Sequence, residues 1–152
     1  MTLNVRRVVT GHDKNGKAVV RIDDLGAHRR AGRPNHETQL IWTTDTLPVR
    51  FDEAEGDMAA REIGTTVPGG TVFRVVEYRP GVAPRNHRTD SIDYAVVMSG
   101  EIDMDLDGTI VHLEAGDLLV QRATIHNWVN NGTVPCVIAF VLVAAEGRSA
   151  VG

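Results

Sequence analysis

The sequence predicts an all-β fold, a sandwich or barrel of short strands, and three observations carry that expectation. β-Branched and aromatic runs recur from Thr71 to Val143, separated at close intervals by Gly-containing turns. Glu101 to Leu106 (EIDMDL) alternates acidic and apolar residues, the period of a strand with one face in water. Asp52 to Arg61 has the best helical composition in the chain, yet Gly56 interrupts it, leaving room for one short helix or a solvated loop.

In chain order, Val5 to Thr10 and Lys17 to Ile22 flank a polar turn with Asn15-Gly16 at its tip, and so predict a hairpin. Asp23 to Glu37 is polar, holds Gly26, Gly32 and Pro34, and is expected to be a long loop. Gln39 to Thr44 is a short apolar run around Trp42 and predicts a strand. After a break at Gly64 to Gly70, Thr71 to Arg79 (TVFRVVEYR) has strand composition. Further strands are expected at Ile92 to Ser99, Glu101 to Leu106, Thr109 to Leu113, Leu118 to Gln121, His126 to Val129 and Val134 to Val143. Repeats, linkers and low-complexity tracts are lacking, so residues 1–152 are expected to form one domain. Residues 1–66 would supply N-terminal strands and a loop, and 67–145 the barrel core.

Composition narrows the function. Charged residues make up 24% and the formal net charge is -4, which excludes a broad electrostatic footprint for nucleic acid. Arg29, Arg30 and Arg33 are expected in a solvated loop. No apolar stretch is long enough to span a membrane, and no signal-type segment follows Arg6 and Arg7, so the expected setting is cytoplasmic. The lone cysteine, Cys136, sits in an apolar run and is expected to be a buried, inert thiol.

The chemistry gathers between Gly81 and Asn130. Gly81 is followed after five residues by His87, then Thr89, Asp93 and Gly100, and the spacing resembles the first cupin motif, G-x5-H-x-H-x3/4-E-x6-G. Gly116, His126 and Asn130 resemble the second, G-x5-P-x-G-x2-H-x3-N, with its proline and internal glycine missing and one residue fewer before the histidine. The resemblance covers about Thr71 to Val143 and implies a cupin jelly-roll β-barrel with an N-terminal strand extension.

In metal-binding cupins three histidines and a glutamate hold one ion. Here Thr89 replaces the second histidine and Asp93 the glutamate. The resemblance therefore implies His87, Asp93 and His126 as ligands of one divalent metal (iron, manganese, nickel or zinc) and as the catalytic residues. Two histidines and a carboxylate are also a set that non-haem iron oxygenases use. A metal-free enzyme would use the same three residues as acid and base.

The expected function is a small-molecule enzyme carrying out dehydration, isomerisation or decarboxylation of a carbonyl- or enol-bearing substrate. The alternatives are an iron dioxygenase of an aromatic or polyketide-type substrate, and a non-catalytic ligand-binding cupin. Tyr94 follows Asp93 and is expected on the opposite face, packing between layers. Arg74 and Glu77 have opposite parity, so only one of them can face inward. Trp42 is expected at a barrel end, in the core or in an interface. His12, His28, His36 and His112 are expected outside the site, and Gln121 and Asn127 either orient ligands or face solvent. The Val-rich opening predicts a homodimer with Val5 to Ile22 in its contact.

Overall fold

Side-chain alternation decides which face of each strand turns inward, and in this chain it also decides which polar groups share the interior. The computed structural model describes residues 3–147. Strands β1 (Arg6–His12) and β2 (Ala18–Leu25) form the expected hairpin. A six-stranded antiparallel sheet follows, composed of β3 (Arg29–Ala31), β4 (His36–Thr44), β5 (Thr71–Tyr78), β6 (Ser91–Ser99), β9 (Leu118–Arg122) and β11 (Cys136–Ala144). Its order is β3-β4-β5-β11-β6-β9. A smaller sheet is made of β10 (Asn127–Val129), β7 (Glu101–Leu106) and β8 (Thr109–Glu114), in that order. This is the expected jelly-roll class of barrel.

The core lies between the two sheets. Val72, Val76, Ala95, Val97, Ile138, Phe140 and Leu142 from the larger sheet pack with Ile102, Met104 and Trp128 from the smaller one. Register aligns the inward residues across strands: Arg74 pairs with Phe140 and Leu40, Tyr78 with His36 and Cys136, and Asp93 with Leu142 and Gln121. A hydrophobic run with a polar residue on its inward parity thus delivers that residue to the cavity. Gly100 makes the tight turn into β7 at φ 74°, and a Cβ there would collide with the Pro135 carbonyl, so only glycine fits.

The N-terminal segment covers part of the outer face of the larger sheet. Leu3 and Val5 pack on Ile41, Val75 and Val137. Val5 exchanges hydrogen bonds with the Gln39 side-chain amide at 3.0 and 2.9 Å. Arg7 is 3% exposed and forks onto both Asp24 and Asp57, while also donating to the Ile41 carbonyl. His28 bonds the same Asp57 at 2.8 Å. Buried, doubly paired charges of this kind tie the hairpin to the barrel.

Three expectations change. The stretch from Asp23 to Glu37 is not one loop: β2 runs on to Leu25, β3 forms at Arg29–Ala31, and β4 begins at His36 because it pairs along the length of β5. The barrel sheet consequently takes in residues before position 67. Tyr94 does face away from Asp93, but it is exposed and packs no layers. The segment from Asp52 to Arg61, expected as one short helix or a solvated loop, holds a single 3-10 turn at Met58–Ala60. Cys136 is fully buried, and burial pushes its thiol up to about 12, as expected of an inert cysteine. No helix among the described residues is long and apolar enough to cross a membrane.

Candidate active site

A small cavity of about 70 Å³, open at one side, lies between the sheets; His87, Asp93 and His126 all line it. His87 comes from the loop after β5, Asp93 from the inward parity of β6, and His126 from the bend before β10. His87 and His126 are joined through their backbones: each N–H donates to the other's carbonyl at 3.0 Å. That bridge sets their rings 4.7 Å apart, centre to centre. Asn130, the last residue of the second motif, donates to the Tyr78 and Val134 carbonyls, and its own carbonyl accepts from Gly81. The two motifs are thereby tied together at both ends.

The missing motif residues have structural consequences. Counting back from His126, Ala123 stands where the motif has its internal glycine, and it adopts the left-handed φ of 55° that glycine would take freely. Gln121 stands where the motif has proline. Its amide lines the cavity and donates to the Met104 sulfur at 3.3 Å. Asn127 faces outward to accept the Arg85 N–H at 2.9 Å, which holds the Arg85 loop.

Protonation follows from burial. His87 is lowered to about 4, first by burial and then by the positive charges of Arg85 and Arg33. His126 is also lowered by burial, against the opposing effect of its hydrogen bond to the Thr124 carbonyl at 2.9 Å. A carbonyl only accepts, so His126 Nδ1 carries the proton and Nε2 keeps a free lone pair. Asp93 is 4% exposed and moves the other way, raised to about 6 by burial against a Ser91 hydrogen bond and the charge of Arg74. With Asp93 ionised, Ser91 donates to its Oδ1 at 2.5 Å, which leaves Thr89 to donate to Ser91 at 2.8 Å. Thr89 therefore supports the carboxyl group through Ser91.

The donor set fits a metal only in part. Two neutral imidazoles side by side suit an ion, and ligand atoms on one ion at about 2.1 Å lie within roughly 4 Å of each other. Asp93 does not join them. The three-donor group found among the described residues, with all ligand atoms within 4.8 Å, is Glu101, His112 and Glu114, not His87, Asp93 and His126. The reason is local: Asp93 turns inward from β6 and is engaged by Ser91, whereas both histidines are held on their own backbone bridge. The Glu101–His112–Glu114 group is exposed on β7 and β8. Its imidazole is already occupied, bonding Asp103 at 2.6 Å and Glu101 at 3.1 Å, and those bonds raise its pKa.

Other expectations resolve as follows. Arg74 is the inward member of its pair, while Glu77 is buried on the outer face against Arg79. Trp42 lies beside the hairpin in a separate depression with Arg21 and Glu53, not at a barrel end. His12 pairs with Glu53, and His112 stays at the surface. His36 and Arg33, expected in a solvated loop, line the cavity instead. His36 packs on Tyr78 at 5.4 Å and is lowered to about 4 by burial and by Arg33. Carrying the alternation of β4 back two residues from Thr38 would have found it; Arg33 and Arg85 left no such signal.

A barrel whose cavity takes one imidazole from each of two motif-bearing bends defines a cupin-type protein. The chain belongs to the cupin family: the Cupin domain profile matches residues 74–143. It is similar to the cupin-domain-containing oxidoreductase fogC of Aspergillus ruber, 39% identical over 91% of this chain and 72% of that protein. Phomopsin biosynthesis cluster protein C' of Diaporthe leptostromiformis is 39% identical over 82% of this chain and 69% of its own length. Among solved structures, a double-stranded β-helix protein from Klebsiella pneumoniae matches with a TM-score of 0.53 at 19% identity, over 78% of this chain and 85% of that one. That likeness speaks to the fold alone.

Proposed function

We propose that this chain is a small-molecule enzyme that moves a proton on a carbonyl- or enol-bearing substrate, giving dehydration or isomerisation without redox change. The observation that carries the reading is one cavity holding two neutral imidazoles and a carboxyl group poised near pH 6. Groups pushed to opposite sides of their ordinary pKa values suit a base and an acid working together. His126, with Nε2 free, is the base that takes a proton from the carbon next to the carbonyl. Protonated Asp93 donates to the oxygen that gains charge or leaves. His87, whose ring lies beside that of His126, positions the substrate oxygen. The names of relatives support a small-molecule role: fogC is called an oxidoreductase and the phomopsin protein a biosynthesis cluster protein.

The test is deuterium uptake by a panel of enolisable β-dicarbonyl compounds in D2O, followed by mass spectrometry with metal-stripped protein. Exchange that survives chelator and disappears in H126Q is the expected result. Failure to exchange any compound, or full dependence on added metal, would refute the reading.

The name oxidoreductase carried by several relatives favours a second reading, oxygen chemistry at a metal held by His87 and His126. The metal would supply Lewis acidity and oxygen binding there. Oxygen consumption by iron-loaded protein, absent from H87Q, would support it over proton transfer.

A further inference from the structure

Among the described residues, three arginines line the cavity without an ion pair to a carboxylate, although the charge of Asp93 reaches Arg74. Arg33, Arg74 and Arg85 all contribute to its wall, where Asp93 is the one carboxyl group among the lining residues. Arg33 Nε donates to the Ala83 carbonyl at 2.8 Å. Arg74 donates to the carbonyls of Gly64 and Thr65 at 2.9 and 3.3 Å, and its Nε is buried with no partner. The arginine–carboxylate ion pairs among the described residues lie elsewhere, at residues such as Arg7, Arg61 and Arg79.

Gathering like charges in a partly buried cavity is costly unless a counter-anion arrives. Arginine cannot relieve that cost by losing its proton, and its planar fork matches a carboxylate through two parallel hydrogen bonds. On the same wall, Trp128, Phe140, Leu142 and Val76 offer an apolar surface. The cavity therefore has a cationic side and an apolar side.

We propose that the cavity recognises an organic carboxylate, with its anionic group held by Arg74 and Arg85, assisted by Arg33, and its carbon skeleton against Trp128 and Phe140. The proposal rests on the reading that this cavity is the substrate site, and it adds the chemical class of what enters.

Benzoate and its neutral near-isostere benzamide test it by titration calorimetry on the full chain. Benzoate is expected to bind at least about tenfold more tightly than benzamide, and more weakly as salt rises. R85Q and R74Q should each weaken benzoate about tenfold and leave benzamide unchanged, while R85K, which keeps the charge and loses the fork, should restore only part of the loss. Arg85 is on an exposed loop, so R85Q keeps the test decisive even if R74Q folds poorly. Equal affinity for the two compounds, no benzoate binding, or indifference of benzoate to R85Q would overturn the proposal. H126Q should retain benzoate binding. Loss of deuterium exchange with binding intact thus bears on the catalytic reading, and loss of binding with exchange intact bears on this one.

Discussion

His87 and His126 exchange backbone hydrogen bonds in both directions at 3.0 Å, and this bridge rather than any side-chain contact sets their rings 4.7 Å apart. Because the main chain holds the pair, either ring is removable without undoing the geometry. H126Q is expected to lower kcat roughly a hundred- to ten-thousand-fold, the usual worth of a positioned base. H87Q should act more on KM. Both variants should melt within a few degrees of the parent in differential scanning calorimetry; a collapse of Tm would show that the rings are structural.

The pH profile should be narrow. His126 must stay neutral to act as the base, and burial holds it below the ordinary histidine range, while Asp93 must stay protonated, which fails as pH rises through about 6. D93N should abolish the alkaline limb along with most activity. A plateau extending through pH 8 in the parent enzyme would remove Asp93 from the role of acid.

The same carboxyl group sets a stability trend. Its pKa is raised from 3.8 to about 6 on folding, so the folded chain holds this proton more tightly than the unfolded chain does. That contribution is complete below pH 3.8 and is lost as pH rises through 6. D93N, neutral throughout, should therefore be more stable than the parent at pH 8 by up to about 2 kcal/mol. Urea titrations at pH 5 and pH 8 measure the difference, and a gain no larger at pH 8 would count against it.

Ser91 relays Thr89 to Asp93 and stabilises the ionised carboxylate. S91A should move the alkaline limb upward by roughly one unit, as expected when a charge-assisted hydrogen bond is lost. T89V should shift it in the same direction by less. If Thr89 instead acted as a metal ligand, T89V would change metal content and leave the limb in place.

Arg7 should prove the most sensitive position of the hairpin. R7M would leave Asp24, Asp57 and the Ile41 carbonyl without their buried donor, at a cost of about 3 kcal/mol. Asp57 is held well below the ordinary carboxylate range, chiefly by Arg7. Its contribution is complete above pH 3.8 and is lost as pH falls further, so the R7M deficit should shrink in strong acid. A deficit that does not change with pH would point to lost packing alone.

The hairpin also leaves Val8 and Val20 half exposed. We propose that it contributes to a homodimer contact, and that V8E/V20E shifts sedimentation at micromolar concentration from dimer to monomer. A monomeric parent would rule the contact out.

Strand existence was legible in the chain because period-two burial is written residue by residue: Ile102 and Met104 in EIDMDL face the core as their spacing demands. The motif positions of His87, Asp93 and His126 likewise foretold a shared cavity. What the chain alone could not decide was distance. Whether Asp93 meets the imidazoles depends on the register of β6 against β11 and β9 and on a hydrogen bond from Ser91, both set only when distant strands pair. The cationic wall was hidden for the same reason. Arg33 and Arg85 come from separate irregular segments, which have no periodicity to read, and only folding brings them to one cavity with Arg74. Local pattern determined the strands and their faces; tertiary pairing determined which polar groups ended up together, and so the chemistry.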